Sequence, residues 1–303
     1  MKNTRVIISA LTEWYCSGNM NARAEIGIIG GSGLYSMEGL EDIEEVRVET
    51  PFGDPSDVLI VGTLEGVRVA FLPRHGRGHR LLPSELPARA NIFALKFLGV
   101  QQVISASAVG SLRGHLEPMD MVVPDQLYDR TRQRPSTFFG DGIVAHVSMA
   151  EPFCARVSSA LHIASSGVVT RSHRGGTYVC IEGPAFSTYA ESVVYRQLGF
   201  DIIGMTALPE AKLAREASIC YAVLAQVTDY DCWHTGHDSV TSDMVMANVA
   251  RNAVNAKAIL RAVIPALRDA TDCSCRHALE GAIATSPEAM NPATRERLRP
   301  LLP

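Results

Sequence analysis

The segment "QVTDYDCWH", residues 226–234, places two carboxylates, Asp229 and Asp231, two positions apart just beyond an apolar run over 217–225. That run reads as a buried strand. If the extended conformation persists, both acids project to the same side, because strand side chains alternate faces. Such a pair can bind a metal, act as general acid and base, grip a nitrogen heterocycle, or cap a following helix. His234 and His237 keep the metal reading open. Glycosidic chemistry by two carboxylates normally activates water between them.

Two earlier loops point to an anion. "RHGRGH" (Arg74, His75, Gly76, Arg77, Gly78, His79) packs two arginines, two histidines and two glycines into six residues. Arginine supplies the forked donors that suit phosphate; a solvated basic loop is the alternative. "GGSG" (Gly30, Gly31, Ser32, Gly33) offers closely spaced backbone N–H groups and a hydroxyl, or simply a tight turn. It is not a dinucleotide fingerprint: with Gly31 and Gly33 as G-x-G, Ser36 stands where the third glycine belongs. Together the two loops favour an inorganic or ester phosphate, which could then replace water as nucleophile beside the acid pair.

These groups need a frame that gathers strand ends. "EIGIIGGSGL" reads as a strand entering a Gly-rich turn, and 57–76 as a hairpin turning near Glu65-Gly66. "SELPARANIFALKFLGV" has helical spacing, with Ser84 as N-cap and Gly99 as stop. Strand, loop and helix then recur through "QQVISASAVGSL", "TYVCIEGPAF", "STYAESVVYRQLG" and "DIIGMTALPEAKLAREA", with Pro209 near a helix start. A long amphipathic helix over 242–267 is capped by Ser242 or Thr241, and the tail from Thr271 is less patterned. The alternation predicts an α/β fold, a single domain over 25–303 with a central mixed β-sheet flanked by helices. In such sheets ligands bind beyond the carboxyl ends of strands.

Residues 1–24 have a basic start and a short apolar stretch, "VIISAL", interrupted by Glu13 and Trp14. They read as a disordered or non-native extension, with Met20 a natural start, rather than a secretory signal. The 303 residues are 47% hydrophobic and 20% charged with a net charge of −4, an ordinary globular balance without a basic footprint for nucleic acid. No apolar stretch reaches membrane-span length. Seven scattered cysteines argue for a reducing compartment and mostly buried thiols. Cys273 and Cys275 form a lone C-x-C with no second pair at zinc spacing, so no metal site is expected there, only surface thiols or a redox-sensitive pair.

"GIIGGSGL", "TPFGDPSD", "PRHGRGH", "ANIFALKFLGV", "SAVGSL", "CIEGPAFSTYAES", "GMTALPEAKLAREA" and "TDYDCW" occur in this order from about residue 26 to 268. Together they closely resemble the 5′-methylthioadenosine phosphorylases within the trimeric purine nucleoside phosphorylase group. The resemblance implies that fold, a cytoplasmic homotrimer, and cleavage of 5′-methylthioadenosine by phosphate to adenine and 5-methylthioribose 1-phosphate, without metal or organic cofactor. It implies that Ser32, Arg74, His75 and Ser107 hold phosphate, with Thr206 close by, and that Met205 and Thr206 contact the ribose. Phe186 would pack on the purine and Ala108 would line the pocket. Asp229 would stand at N7 and deliver or share the proton that lets adenine leave; Asp231 would accept from the 6-amino group. An upward-shifted pKa is expected on Asp229, from burial and from Asp231. Val240, Ser242 and Val245 would lie near the alkylthio group, with His146 from a neighbouring subunit.

Two positions depart from the family pattern. Ser242 stands where a more apolar residue is expected beside a thiomethyl, leaving room for a 5′-hydroxyl or 5′-deoxy substrate; Ala185 replaces the arginine of "EGPRF". A broader 6-aminopurine nucleoside phosphorylase, a 5′-methylthioinosine phosphorylase and a non-catalytic nucleoside-binding protein are the alternatives. A carboxylate at 229 favours a 6-amino base, since a 6-oxo base calls for a donor such as Asn.

Overall fold

The computed structural model describes residues 4–9, 22–31, 37–234, 242–268 and 272–303. Among the described residues, twelve strands form one mixed sheet organised around β6 (Gln102–Ser111). On one side β6 runs parallel to β2 (Ile26–Gly30), which is followed outward by β5 (Val67–Pro73), β4 (Leu59–Leu64), β3 (Glu41–Glu49) and β1 (Thr4–Ser9). Its other neighbour is β12 (Cys220–Tyr230), parallel along nearly its whole length. The far end of β6 pairs antiparallel with β11 (Ile202–Gly204), which leads to β10 (Thr177–Ile181) and β8 (Gln126–Arg130). Beyond β12 lie β7 (Met121–Val123) and β9 (Ser172–Arg174).

Helices cover both faces, and the strands alternate accordingly. From β12, Tyr221, Val223, Ala225 and Val227 pack in one apolar cluster with α1 (Ala88–Phe97) and α4 (Ala207–Glu216). Cys220, Ala222 and Leu224 join a second cluster with α2 (Ala155–Val168) and α5 (Ser242–Leu267). Both faces of the central strands are therefore buried, which is why they read as continuous apolar runs rather than alternating ones. Gly27 permits the close approach of α1: a Cβ there would stand 3.1 Å from Val100 and Val103 and 3.2 Å from Leu95.

The hairpin turns at Glu65-Gly66, both at positive φ, the geometry two-residue hairpins favour. The helix expected from Ser84 starts later. Residues Pro83–Glu85 form only a 3-10 turn, Leu86 is extended ahead of Pro87, and Pro87 takes the N-cap of α1. A residue before proline is pushed out of the helical region, so Ser84 cannot cap this helix. Gly99 ends it at φ +91, and Gly199 at φ +89 follows α3 (Tyr189–Gln197), both in the left-handed conformation common after helix ends.

The strand leading to the acids is longer than expected. It persists to Tyr230, with an irregularity between Val227 and Asp229. Within the stretch 1–24 expected to be an extension, Thr4–Ser9 forms β1 along β3, and Ala22 and Ala24 are buried in the core. The tail carries α6 (Pro292–Leu298), capped by Asn291, which buries Leu298. Cys275 is buried and Cys273 half-buried, so neither is the surface thiol the C-x-C spacing suggested.

Candidate active site

The carboxyl ends of β2, β5, β6 and β12, with the segment after β11, open on one cavity of about 570 Å³. Gly31, Arg74, His75 and the β6 segment Ala106–Gly110 line it, as do Met205, Thr206, Asp229 and Asp231. Five sequence-distant segments thus meet where an open α/β sheet is expected to hold its ligand.

Arg74 is almost fully buried at 1% exposure. Its Nε donates to Glu210 Oε1 at 2.6 Å, Nη1 to the Ala106 carbonyl at 2.9 Å and Nη2 to Ser105 Oγ at 2.5 Å. Glu210 also accepts from Ser105 and from Tyr221, each at 2.8 Å. Burial works against the guanidinium charge, but the Glu210 carboxylate outweighs it and holds the pKa above its ordinary value. Arg74 is therefore a fixed positive charge braced from behind.

His75 stacks on His79 with ring centroids 4.3 Å apart, and its Nδ1 lies 2.9 Å from the Leu81 carbonyl. A carbonyl only accepts, so Nδ1 carries the hydrogen and Nε2 is left for the cavity. Burial and the adjacent Arg74 charge push the His75 pKa down to about 4, keeping the ring neutral. Ser107 Oγ sits 2.8 Å from Thr206 Oγ1 and 3.2 Å from Tyr178 Oη, so two hydroxyls from β6 and the start of α4 face the cavity together. Gly204 permits this: a Cβ there would stand 2.1 Å from Tyr178 Oη. Ser32 lies outside the described residues.

Both acids are buried, at 7% and 4% exposure, and both face β6 at Gly110. A Cβ on Gly110 would be 3.1 Å from Asp229 Oδ2 and 3.6 Å from Asp231 Cβ. Burial raises the Asp229 pKa to about 6; the Thr228 hydroxyl, donating to Oδ1 at 2.5 Å, pulls it down, and Asp231 pushes it up. The expected upward shift is present, with burial as the larger cause. Burial also raises the pKa of Asp231, opposed by the Ser192 and Ser187 hydroxyls and the Cys232 N–H. From α5, the Asn248 and Asn252 amides donate to the carbonyls of Thr228 and Val227, holding the irregular strand end in place.

Ala108, Phe186 and Val245 also line the cavity, Phe186 from the loop after β10 with 43% exposure. Val240 lies outside the described residues, as does the side chain of Ser242. His146 is exposed and is not among the residues lining the cavity of its own chain.

The family model described as the phosphorylase superfamily matches residues 25–265. The chain belongs to this superfamily. It groups there with methylthioadenosine phosphorylases. It is 57% identical over 285 residues to the S-methyl-5′-thioadenosine phosphorylase of Gloeobacter violaceus, covering 92% of this chain and 95% of that one. A solved methylthioadenosine phosphorylase from an antarctic soil metagenomic library superimposes with a TM-score of 0.89 at 53% identity, covering 93% and 100% of the two chains. The enzyme of Schistosoma mansoni in complex with adenine gives 0.78 at 37% identity over 86% and 99%.

Several residues that line or support this superfamily member's cavity have no distinct sequence signal. Glu210 sits inside "ALPEAK", where an acid near a helix start reads as ordinary, and only the fold brings it to Arg74. Thr228 and Gly110 look like strand residues. Met246 and Val249 add an apolar wall from α5 next to Val245; the helical spacing of Val245 and Val249 was visible, but not which way that face turned.

Proposed function

We propose that this protein phosphorolyses 5′-methylthioadenosine, with inorganic phosphate as co-substrate. The observation that carries the reading is a buried carboxyl with its pKa near 6, Asp229, in the same cavity as Arg74, His75, Ser107 and Thr206. Ser107 and Thr206 donate to phosphate together with Ser32, while Arg74 supplies the neutralising charge and the unshared hydrogen of Nη1. Neutral His75, with Nε2 free of hydrogen, accepts a hydrogen bond from the P–O–H of monohydrogen phosphate and so leaves the phosphate's charged oxygens for the sugar. A phosphate oxygen attacks C1′ as the C1′–N9 bond breaks, and the anion steadies the ribosyl cation-like state. Asp229 hands its proton to N7 as the bond electrons move onto the base. Asp231 accepts from the 6-amino group, Phe186 covers the purine, Ala108 lines its pocket, and Met205 packs against the ribose. This chemistry asks for no metal or organic cofactor at the cavity.

Val245, Met246 and Val249 support the 5′-methylthio group, since an apolar wall stabilises a thioether and leaves a 5′-hydroxyl unpaired. Exposed His146, outside its own cavity, supports a site completed by a neighbouring subunit, and we take the assembly to be a cytoplasmic homotrimer. Among the described residues no helix is long and apolar enough to cross a membrane.

The test is phosphate-dependent cleavage of 5′-methylthioadenosine, with the base identified, beside adenosine and 5′-methylthioinosine. Adenine release with a preference for the methylthio nucleoside is expected. Hypoxanthine release from 5′-methylthioinosine at a higher rate would overturn the base assignment. Equal use of adenosine would overturn the 5′ assignment.

A further inference from the structure

Far from the cavity, four cysteines that the sequence scatters over more than a hundred residues come together. The sulfurs of Cys154, Cys220, Cys273 and Cys275 all lie within 4.8 Å of one another. Cys154 is the N-cap residue of α2, Cys220 opens β12, and Cys273 and Cys275 belong to the 3-10 turn that follows α5. We propose that these four thiolates form a structural binding site for a tetrahedral soft divalent cation of the zinc class.

The geometry fits that ligand. A tetrahedron with Zn–S bonds of about 2.3 Å has edges of about 3.8 Å, and Cys154 and Cys273 already stand 3.7 Å apart. A disulfide needs about 2.05 Å, and all four are free thiols. Three of the four are buried and the fourth is half-buried, which suits a closed structural site rather than one with an open catalytic position. Four thiolates around a divalent ion leave two excess negative charges, and the surroundings answer them. Arg215 Nη1 donates to Cys275 Sγ at 3.5 Å, an outer-shell contact of the kind that orients a ligand and steadies its charge. Cys154 stands at the positive end of the α2 dipole, which favours a thiolate.

The site would staple the turn after α5 to the start of α2 and to β12. Cys220 and Asp229 are nine residues apart on one strand, about 30 Å at the usual rise, so the ion takes no part in phosphorolysis. Binding releases the thiol protons and stabilises the folded chain by its binding energy.

The test is the metal content of the full-length protein expressed with zinc and purified without chelator. About one zinc per chain is expected by plasma mass spectrometry. Cys275→Ser and Cys154→Ser should each lose it, while Cys180→Ser, outside the cluster, keeps it. Because a cysteine variant can fail to fold, the wild-type protein is also loaded with cobalt. Sulfur-to-cobalt charge-transfer bands with intense tetrahedral ligand-field absorption are the expected signature. Zinc retained in both cluster variants would overturn the proposal. So would a metal-free wild-type protein, whether its thiols titrate freely or non-reducing mass mapping finds them paired as disulfides.

Discussion

Strand β12 carries a polar site at each end, and the two are built on opposite principles. At the carboxyl end, Asp229 and Asp231 are two positions apart in sequence and face a cavity open to ligand. At the amino end, Cys220 meets Cys154 and the Cys273/Cys275 turn in a closed cluster. The acids are held uncomfortably: burial raises both pKa values, and Gly110 leaves them room without offering a hydrogen bond from a side chain. The thiols lie against one another, with the Arg215 guanidinium donating to Cys275. On the proposed reading, the acid end keeps a carboxyl destabilised so that it can give up a proton, whereas the cysteine end only joins segments. Strained groups of this sort mark function more often than stability.

The largest expected effect separates the two ends. Asp229→Asn removes the proposed proton donor, and turnover of 5′-methylthioadenosine should fall by about 10²–10⁴-fold with the metal content of the cysteine cluster unchanged. The pH profile sharpens the point. A donor with a pKa of about 6 is protonated below that value, so at constant phosphate dianion kcat/KM should decline as pH rises through about 6, and the limb should vanish in the variant. Stability moves the other way. A carboxyl whose folded pKa is raised contributes stability that is full below pH 4 and lost as pH rises through 6. At pH 7 the asparagine variant should therefore be more stable, by at most ~3 kcal/mol for a shift of about two units at 1.36 kcal/mol each. A variant that keeps wild-type turnover would break the contrast outright.

Glu210→Ala comes next, because it leaves the Arg74 charge buried and without its partner carboxylate. A loss of roughly 3–5 kcal/mol in chemical unfolding is expected, together with a raised KM for phosphate. Unchanged stability would mean that Arg74 finds other compensation and is not braced as described. The smallest effect calibrates both ends. Asn291→Ala removes the side-chain cap of α6, which accepts from Ala293 and Thr294, and should cost about 1 kcal/mol while leaving turnover and metal content as they are.

Local patterns carried much of the fold. The hairpin turn at Glu65-Gly66, the stops at Gly99 and Gly199 and the long helix over 242–267 were legible because each rests on backbone preferences of a few adjacent residues. The sequence points to Ser84 as the start of α1, but the capping signal competes with Pro87, and the proline's steric effect on Leu86 prevails. The sequence places the end of β12 too early because Asp229 reads as a turn residue; pairing with β6 and the clamps from Asn248 and Asn252 carry the strand past it.

The site divides in the same way. By itself the sequence determined the acid pair, the Arg-His loop and the eight ordered motifs, since these are short strings of adjacent residues whose types narrow the chemistry to a few readings. Tertiary structure alone decided that Glu210 stands behind Arg74, 136 positions away, and that Cys154 and Cys220 complete the C-x-C at the other end of the strand. Spacing along the chain measures distance only within one element. Groups from different elements meet where packed sheet and helices bring them, and that depends on the burial of the whole core rather than on any neighbouring residues.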